Sequence, residues 1–192
     1  MNKRLLANLH TCEAMAMAEK RGSFGWTVPT SRGSIAHKAV ELLVNWRGPV
    51  DPSTVVDAAF GRILAGDRSG DLGQFLADLE EAERAELRGM VVAWVTQFME
   101  CFPPLKPEWR PTVEASNRVE FLDGHLKLSG RTDLTLGKPG DKVIIDLKTG
   151  GAHGAHRDDL RFYALVESVK LKKAPRKLAS YYLESARAHA ED

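Results

Sequence analysis

A chain of 192 residues that is 43% hydrophobic can bury one sizeable core, whereas two independent domains would each be small. With 27 Lys and Arg against 26 Asp and Glu the net charge is only +1, which excludes a global field for nucleic acid, so any such field must come from local clustering. Cys12 and Cys101 form neither a metal-ligand spacing nor a disulfide framework, Met1 to Leu9 lacks the apolar core of a secretory signal, and no run approaches the roughly 18 apolar residues of a membrane span; a reduced cytoplasm is the simplest setting.

The first part of the chain, residues 1–110, reads as mainly helical. Leu5 to Arg21 is expected to be one helix, followed by a loop with Gly22, Gly25, Trp26 and Pro29. Thr30 or Ser31 can cap the next helix, whose Ile35, Ala39, Leu42 and Leu43 recur at helical spacing; His37 lies beside that stripe. Asp51-Pro52 is a cap followed by a first-turn proline, with Val55, Val56, Ala59, Phe60 and Ile63 on the buried side and Gly66 to Gly70 as the stop. From Leu72 to Phe98 a long amphipathic stripe predicts a core-packing helix. Its acidic middle, Glu80, Glu81, Glu83 and Glu86, reads as a solvated face rather than a metal site. Pro103, Pro104, Pro107 and Pro111 then stop helix formation.

Residues 111–192 carry the strands. Val113 to Leu122 and His125 to Leu136 flank Asp123-Gly124, a two-residue hairpin signal, and Lys138-Pro139-Gly140-Asp141 turns the chain into Lys142 to Lys148. In a strand, residues two apart share a face, so Ile144, Asp146 and Lys148 share one, and Arg131, Asp133 and Thr135 share one on the preceding strand. Register decides whether Asp133 and Asp146 converge. Aspartate is disfavoured in mid-strand, and a residue that breaks local preference without structural gain points to a site. Arg157 to Lys170 has helical spacing, and Leu178 to Leu183 is expected to complete the sheet.

Gly130-Arg131-Thr132-Asp133 followed by Ile144-Ile145-Asp146-Leu147-Lys148 resembles motifs II and III of the PD-(D/E)XK nuclease superfamily. Thr149-Gly150, the upstream Gly33-Ser34-Ile35-Ala36-His37 and the downstream Tyr163-Ala164-Leu165 narrow the resemblance to the RecB-like branch, which includes the CRISPR adaptation exonucleases. The resemblance covers residues 31–183 and implies a single α/β domain, 1–192, with a restriction-endonuclease-like mixed sheet flanked by helices. It also implies a metal-dependent deoxyribonuclease, exonuclease or endonuclease, acting in DNA repair, recombination, phage or CRISPR-linked processing.

By that resemblance Asp133, Asp146, His37 and the backbone carbonyl of Leu147 would hold Mg2+ or Mn2+, and Lys148 would point at the attacking water or phosphate. Hard carboxylate oxygens suit these ions, and a histidine shifts preference toward manganese. Glu114 and Glu120 lie on the first strand and either can face the site, with Glu120 taken for the metal's surroundings. The family's Gln-x-x-x-Tyr has Asp159 in place of glutamine here, a departure that weakens inference about strand contacts at Tyr163 and leaves the metal residues untouched. Some relatives hold a four-cysteine iron–sulfur cluster; two cysteines cannot supply one, and both read as buried or incidental.

DNA contacts are expected from Tyr163, from Arg157 and Arg161, and from Lys170, Lys172 and Lys173, since clustered cations bind phosphates without reading sequence. The alternative for the lysines is a solubilising loop. No helicase motif is visible, so an unwinding or recombination partner would be a separate chain. The competing reading from another class is an inactive nuclease fold kept as a DNA-binding or scaffold module, favoured by Asp159 and the near-neutral charge and opposed by the intact His37, Asp133, Asp146 and Lys148.

Overall fold

The computed structural model describes residues 1–22, 24–66 and 71–191. The stretch read as one N-terminal helix is two, α1 (Lys3–Thr11) and α2 (Glu13–Arg21), broken at Cys12, whose backbone is extended. No continuous apolar stripe holds a straight rod against the core there: α1 buries no residue, and Ala16 alone is buried among the described side chains of α2. Both cysteines are exposed.

Helix α3 (Val28–Val44) begins earlier than expected. Its cap is Thr27, whose hydroxyl accepts from the Thr30 N–H, while the Thr30 hydroxyl accepts from the Thr27 N–H at 3.0 Å. This reciprocal pairing leaves Pro29 in the first turn, where no N–H is needed. Helix α4 (Pro52–Leu64) starts as read, with Asp51 accepting from the Thr54 N–H at 3.0 Å, and buries the five expected side chains. The end of its glycine stop, residues 67–70, lies outside the described residues.

The long stripe is also two helices, α5 (Leu72–Asp78) and α6 (Glu81–Cys101). The break falls in the acidic run, where Glu83 accepts from the Glu80 N–H at 3.3 Å. These carboxylates are exposed as expected, yet they mark a helix start, where they meet unpaired N–H groups and the positive end of the dipole. A short 3-10 turn, Pro107–Trp109, follows the prolines.

Strands β1 (Thr112–Phe121), β2 (Leu126–Leu136) and β3 (Val143–Lys148) form the expected antiparallel meander. Four residues rather than two connect β1 to β2, and Leu122, Asp123 and Gly124 all have positive φ. Helix α7 (Ala155–Leu171) crosses over to β4 (Lys177–Tyr182), which pairs parallel with β3. Strand β4 does not complete the sheet: β5 (Arg187–Glu191) adds an antiparallel edge, giving the order β1-β2-β3-β4-β5. Most of β5 is exposed, so Arg-Ala-His-Ala-Glu carries no apolar alternation to announce a strand. The result is the expected mixed sheet flanked by helices.

Two cores sandwich this sheet. Helices α3, α4 and α6 pack with Leu134, Ile145, Leu147 and Tyr181, while Phe162, Tyr163 and Val166 of α7 pack with Val119, Leu128 and Ile144. Leu128 and Leu134 on β2 are an even number of residues apart, a spacing that a regular pleat keeps on one face, yet they enter different cores. Glu114, opposite this part of β2, has φ 54°, a left-handed conformation uncommon outside glycine and rarer still inside a strand. Irregular backbone of this kind collects at functional sites.

Candidate metal centre

The β2–β3 ladder pairs Leu136 with Val143 and Leu134 with Ile145 and stops there; Asp133 and Asp146 follow at the exit of β3, near enough for Asp133 to disfavour charge on Asp146. Asp133 is held from two sides: Oδ2 accepts from the Leu147 backbone N–H at 2.7 Å, and Oδ1 lies 3.1 Å from His37 Nδ1. His37 reaches the strands because α3 runs close to them. One turn earlier, a Cβ on Gly33 would come within 3.2 Å of Thr149 Oγ1, just past the end of β3.

The third acid is Glu114. One donor atom each from His37, Glu114 and Asp133 lies within 4.8 Å of the others, and Arg131 pairs with Glu114 at 2.5 Å. Asp146 lies deeper, 2% exposed, with Oδ2 2.6 Å from Lys148 Nζ. This is a short ion pair with little water around it. Lys148 Nζ also donates to Asp159 Oδ2 at 2.8 Å, and Lys3 from α1 meets the same oxygen at 2.8 Å while lying 5.0 Å over the Tyr163 ring.

Burial opposes charge on His37, but Asp133 beside it, with Asp146 and Glu114 behind, prevails and raises its pKa. Burial also works against the Asp133 carboxylate, yet His37 and the Leu147 N–H hold it below the usual range. Asp146 goes the other way: burial first, then Asp133, push it up against the pull of Lys148 and Lys3. Glu114 is raised by burial and Asp133, with Arg131 opposing. Burial disfavours the Lys148 ammonium, but Asp146 and Asp159 outweigh it and raise its pKa. These two carboxylates favour the protonated form of Lys148 in this arrangement.

The donor set fits a hard divalent cation. His37, Glu114 and Asp133 offer one imidazole and two carboxylates close together, the mix of oxygen and nitrogen donors such an ion takes.

Several expected contacts fall elsewhere. Glu120 is exposed at the hairpin end of β1, where it pairs with Arg118 at 2.7 Å and Lys127 at 3.6 Å; Glu114 is the acid of that strand at the centre. Six positions along β1, about 20 Å of extended chain, separate the two. Asp159, read as leaving the metal residues untouched, engages Lys148 directly. Tyr163 is 7% exposed, its ring filling the space a Cβ on Gly130 would need, at 3.1 Å. Arg157 and Arg161 pair with Glu191, brought beside α7 by the unexpected β5. Lys172 ends α7 in a left-handed conformation, and Lys173 packs on Gly140 before β3, at the opposite end of that strand from Asp146 and Lys148. Lys170 donates to Asn117 at 2.9 Å and, with Lys3 and Arg131, lines a groove beside the centre. Lys3 had no signal in the sequence, since it enters through the docking of the N-terminus: the Met1 amino group donates to the Lys127 carbonyl and the Ser129 N–H to the Met1 carbonyl.

The model of the PD-(D/E)XK nuclease superfamily matches residues 6–191. No curated protein matches the chain. The solved structure described as "Crystal structure of SSO0001" is similar at 14% identity, over 81% of this chain and 74% of that one, with a TM-score of 0.35.

Proposed function

Since the chain belongs to the PD-(D/E)XK nuclease superfamily, we propose that it is a metal-dependent deoxyribonuclease of the RecB-like branch that hydrolyses phosphodiester bonds at this centre. The observation that carries the reading is the cluster of His37, Glu114 and Asp133, with Asp133 tied to the Leu147 N–H of the strand on which Lys148 lies 2.6 Å from Asp146. A divalent cation held there, Mg2+ or Mn2+, would supply charge neutralisation at the phosphate and lower the pKa of water.

The chain's own residues do the rest. Asp133, Asp146, Glu114 and His37 would hold the cation, with the Leu147 backbone beside them. The Leu147 N–H and His37 fix the Asp133 carboxylate before any ligand arrives, so little reorganisation is left for the reaction. Lys148, kept protonated by two carboxylates, stabilises charge on the phosphate or orients the attacking water rather than taking its proton. DNA repair, recombination, phage or CRISPR-linked processing are the settings this chemistry suits, with any helicase a separate chain.

The test is cleavage of labelled single-stranded and duplex DNA in manganese, magnesium or chelator by the wild type, Asp146→Ala and Lys148→Ala. Metal-dependent cutting lost in both variants is the expected result. A folded wild type that binds DNA in every condition and cuts in none assigns the alternative, a nuclease-fold binding module, which the double engagement of Lys148 by Asp146 and Asp159 favours.

A further inference from the structure

The candidate centre opens into a groove of about 630 Å³ whose lining includes His37, Glu114 and Asp133 at one place and Phe24 and Trp26 at another. The two aromatic rings meet edge to face at 4.8 Å. Trp26 is partly buried and packed against the main core, whereas Phe24 is 59% exposed. One ring is thus anchored and its neighbour stands free in a polar groove. Leaving a phenylalanine this exposed is unfavourable, and its edge contact with Trp26 still leaves most of it in solvent.

Arg131 lines this groove and also a second one of about 590 Å³, shared with Lys3, Arg118 and Lys170. The two grooves therefore meet beside the centre, one with aromatic rings and the other with cations. That combination is what a nucleic-acid strand with unpaired bases requires: rings that stack on bases and ammonium or guanidinium groups along the backbone. Bases inside a duplex already have both faces stacked and cannot occupy such a seat.

Resting on the nuclease reading, we propose that Phe24, supported by Trp26, is a stacking seat for an unpaired nucleobase, so that the strand presented to the centre is single-stranded, with its backbone continuing past Arg131 into the groove of Lys3, Arg118 and Lys170. The seat is indifferent to base identity, because every base has a π face.

The experiment is fluorescence anisotropy of two labelled strands of equal length, one ordinary single-stranded DNA and one of abasic units, in calcium at a concentration that leaves the strands intact. Wild type, Phe24→Ala and Phe24→Trp are compared. Phe24→Ala is expected to weaken binding of the ordinary strand by roughly 5- to 100-fold, as the loss of one stacked base does. It should leave the abasic strand unaffected, and Phe24→Trp should restore binding. The exposed position of Phe24 keeps the variant folded, which circular dichroism checks. Equal loss on both strands, no loss on either, or a wild type that binds neither overturns the seat. A base-dependent Phe24 effect in a protein that cuts nothing in manganese upholds the seat and removes hydrolysis; cutting without any Phe24 effect removes the seat alone.

Discussion

Asp159 Oδ2 stands 2.8 Å from Lys148 Nζ, at the helix position where the resembling nucleases usually carry glutamine. Burial works against this carboxylate, but the hydrogen bonds from Lys148 and Lys3 lower its pKa. A lowered pKa means that the pairing stabilises the fold fully above the ordinary aspartate value of about 3.9 and loses that contribution as pH falls through the lowered one. Asp159→Asn should therefore cost about 1–2 kcal/mol at neutral pH. The gap to wild type in urea unfolding should close in acid. The same variant leaves Lys148 less compensated, so DNA should bind a few-fold more tightly at low salt.

The two glutamates of β1 should separate cleanly. Glu114→Gln removes a carboxylate within 4.8 Å of His37 and Asp133, and metal affinity by calorimetry should fall by at least about 100-fold, given that even supporting groups around a metal are worth about 10- to 100-fold. Glu120→Gln breaks only an exposed ion pair and should change neither metal affinity nor cleavage. Equal behaviour of the two variants would remove Glu114 from the centre.

Asp146 is buried near another carboxylate, and burial together with Asp133 disfavours its charge. Asp146→Asn should raise stability in chelator by about 1–2 kcal/mol, or roughly 2–8 °C in Tm for a chain of this size. The order should reverse in manganese, because the wild type alone keeps the full ligand set. Thermal unfolding in the two conditions checks both signs.

Gly130 and Gly33 sit where strands and helices come too close for a Cβ. At Gly130 the added carbon would lie 3.1 Å from the Phe162 and Tyr163 rings, and rings packed in a core yield poorly. Gly130→Ala should cost about 1–3 kcal/mol in urea unfolding. Gly33→Ala meets only the Thr149 hydroxyl at 3.2 Å, which can rotate, so its effect on stability should be smaller; a larger loss for Gly33→Ala than for Gly130→Ala would contradict this packing.

Some of this was written in local pattern. The Asp51 cap, the α4 stripe, the three-stranded meander and the Asp146 and Lys148 face follow from residue type and period 2 or 3.6, because each depends on neighbours close in the chain. Gly130, Asp133, Asp146 and Lys148 also stand in a recognisable order. Helix breaks at Cys12 and Glu80 were hidden, since apolar spacing runs across them while backbone hydrogen bonding does not. Strand β5 was hidden because an exposed edge needs no apolar alternation.

Composition and periodicity by themselves determined the helical and stranded halves and the acids on β2 and β3, and the resemblance carried by the motifs implied the mixed sheet. Tertiary structure alone decided that Asp133 takes the Leu147 N–H and meets His37, that Glu114 and not Glu120 joins them, that Asp159 bridges Lys3 and Lys148, and that Arg157 and Arg161 turn to Glu191. The physical reason is the range of the interactions. Propensity, capping and pleat act over a few residues and are legible along the chain, whereas register, a left-handed residue in mid-strand and ion pairs between distant elements are set by how the sheet and its helices pack.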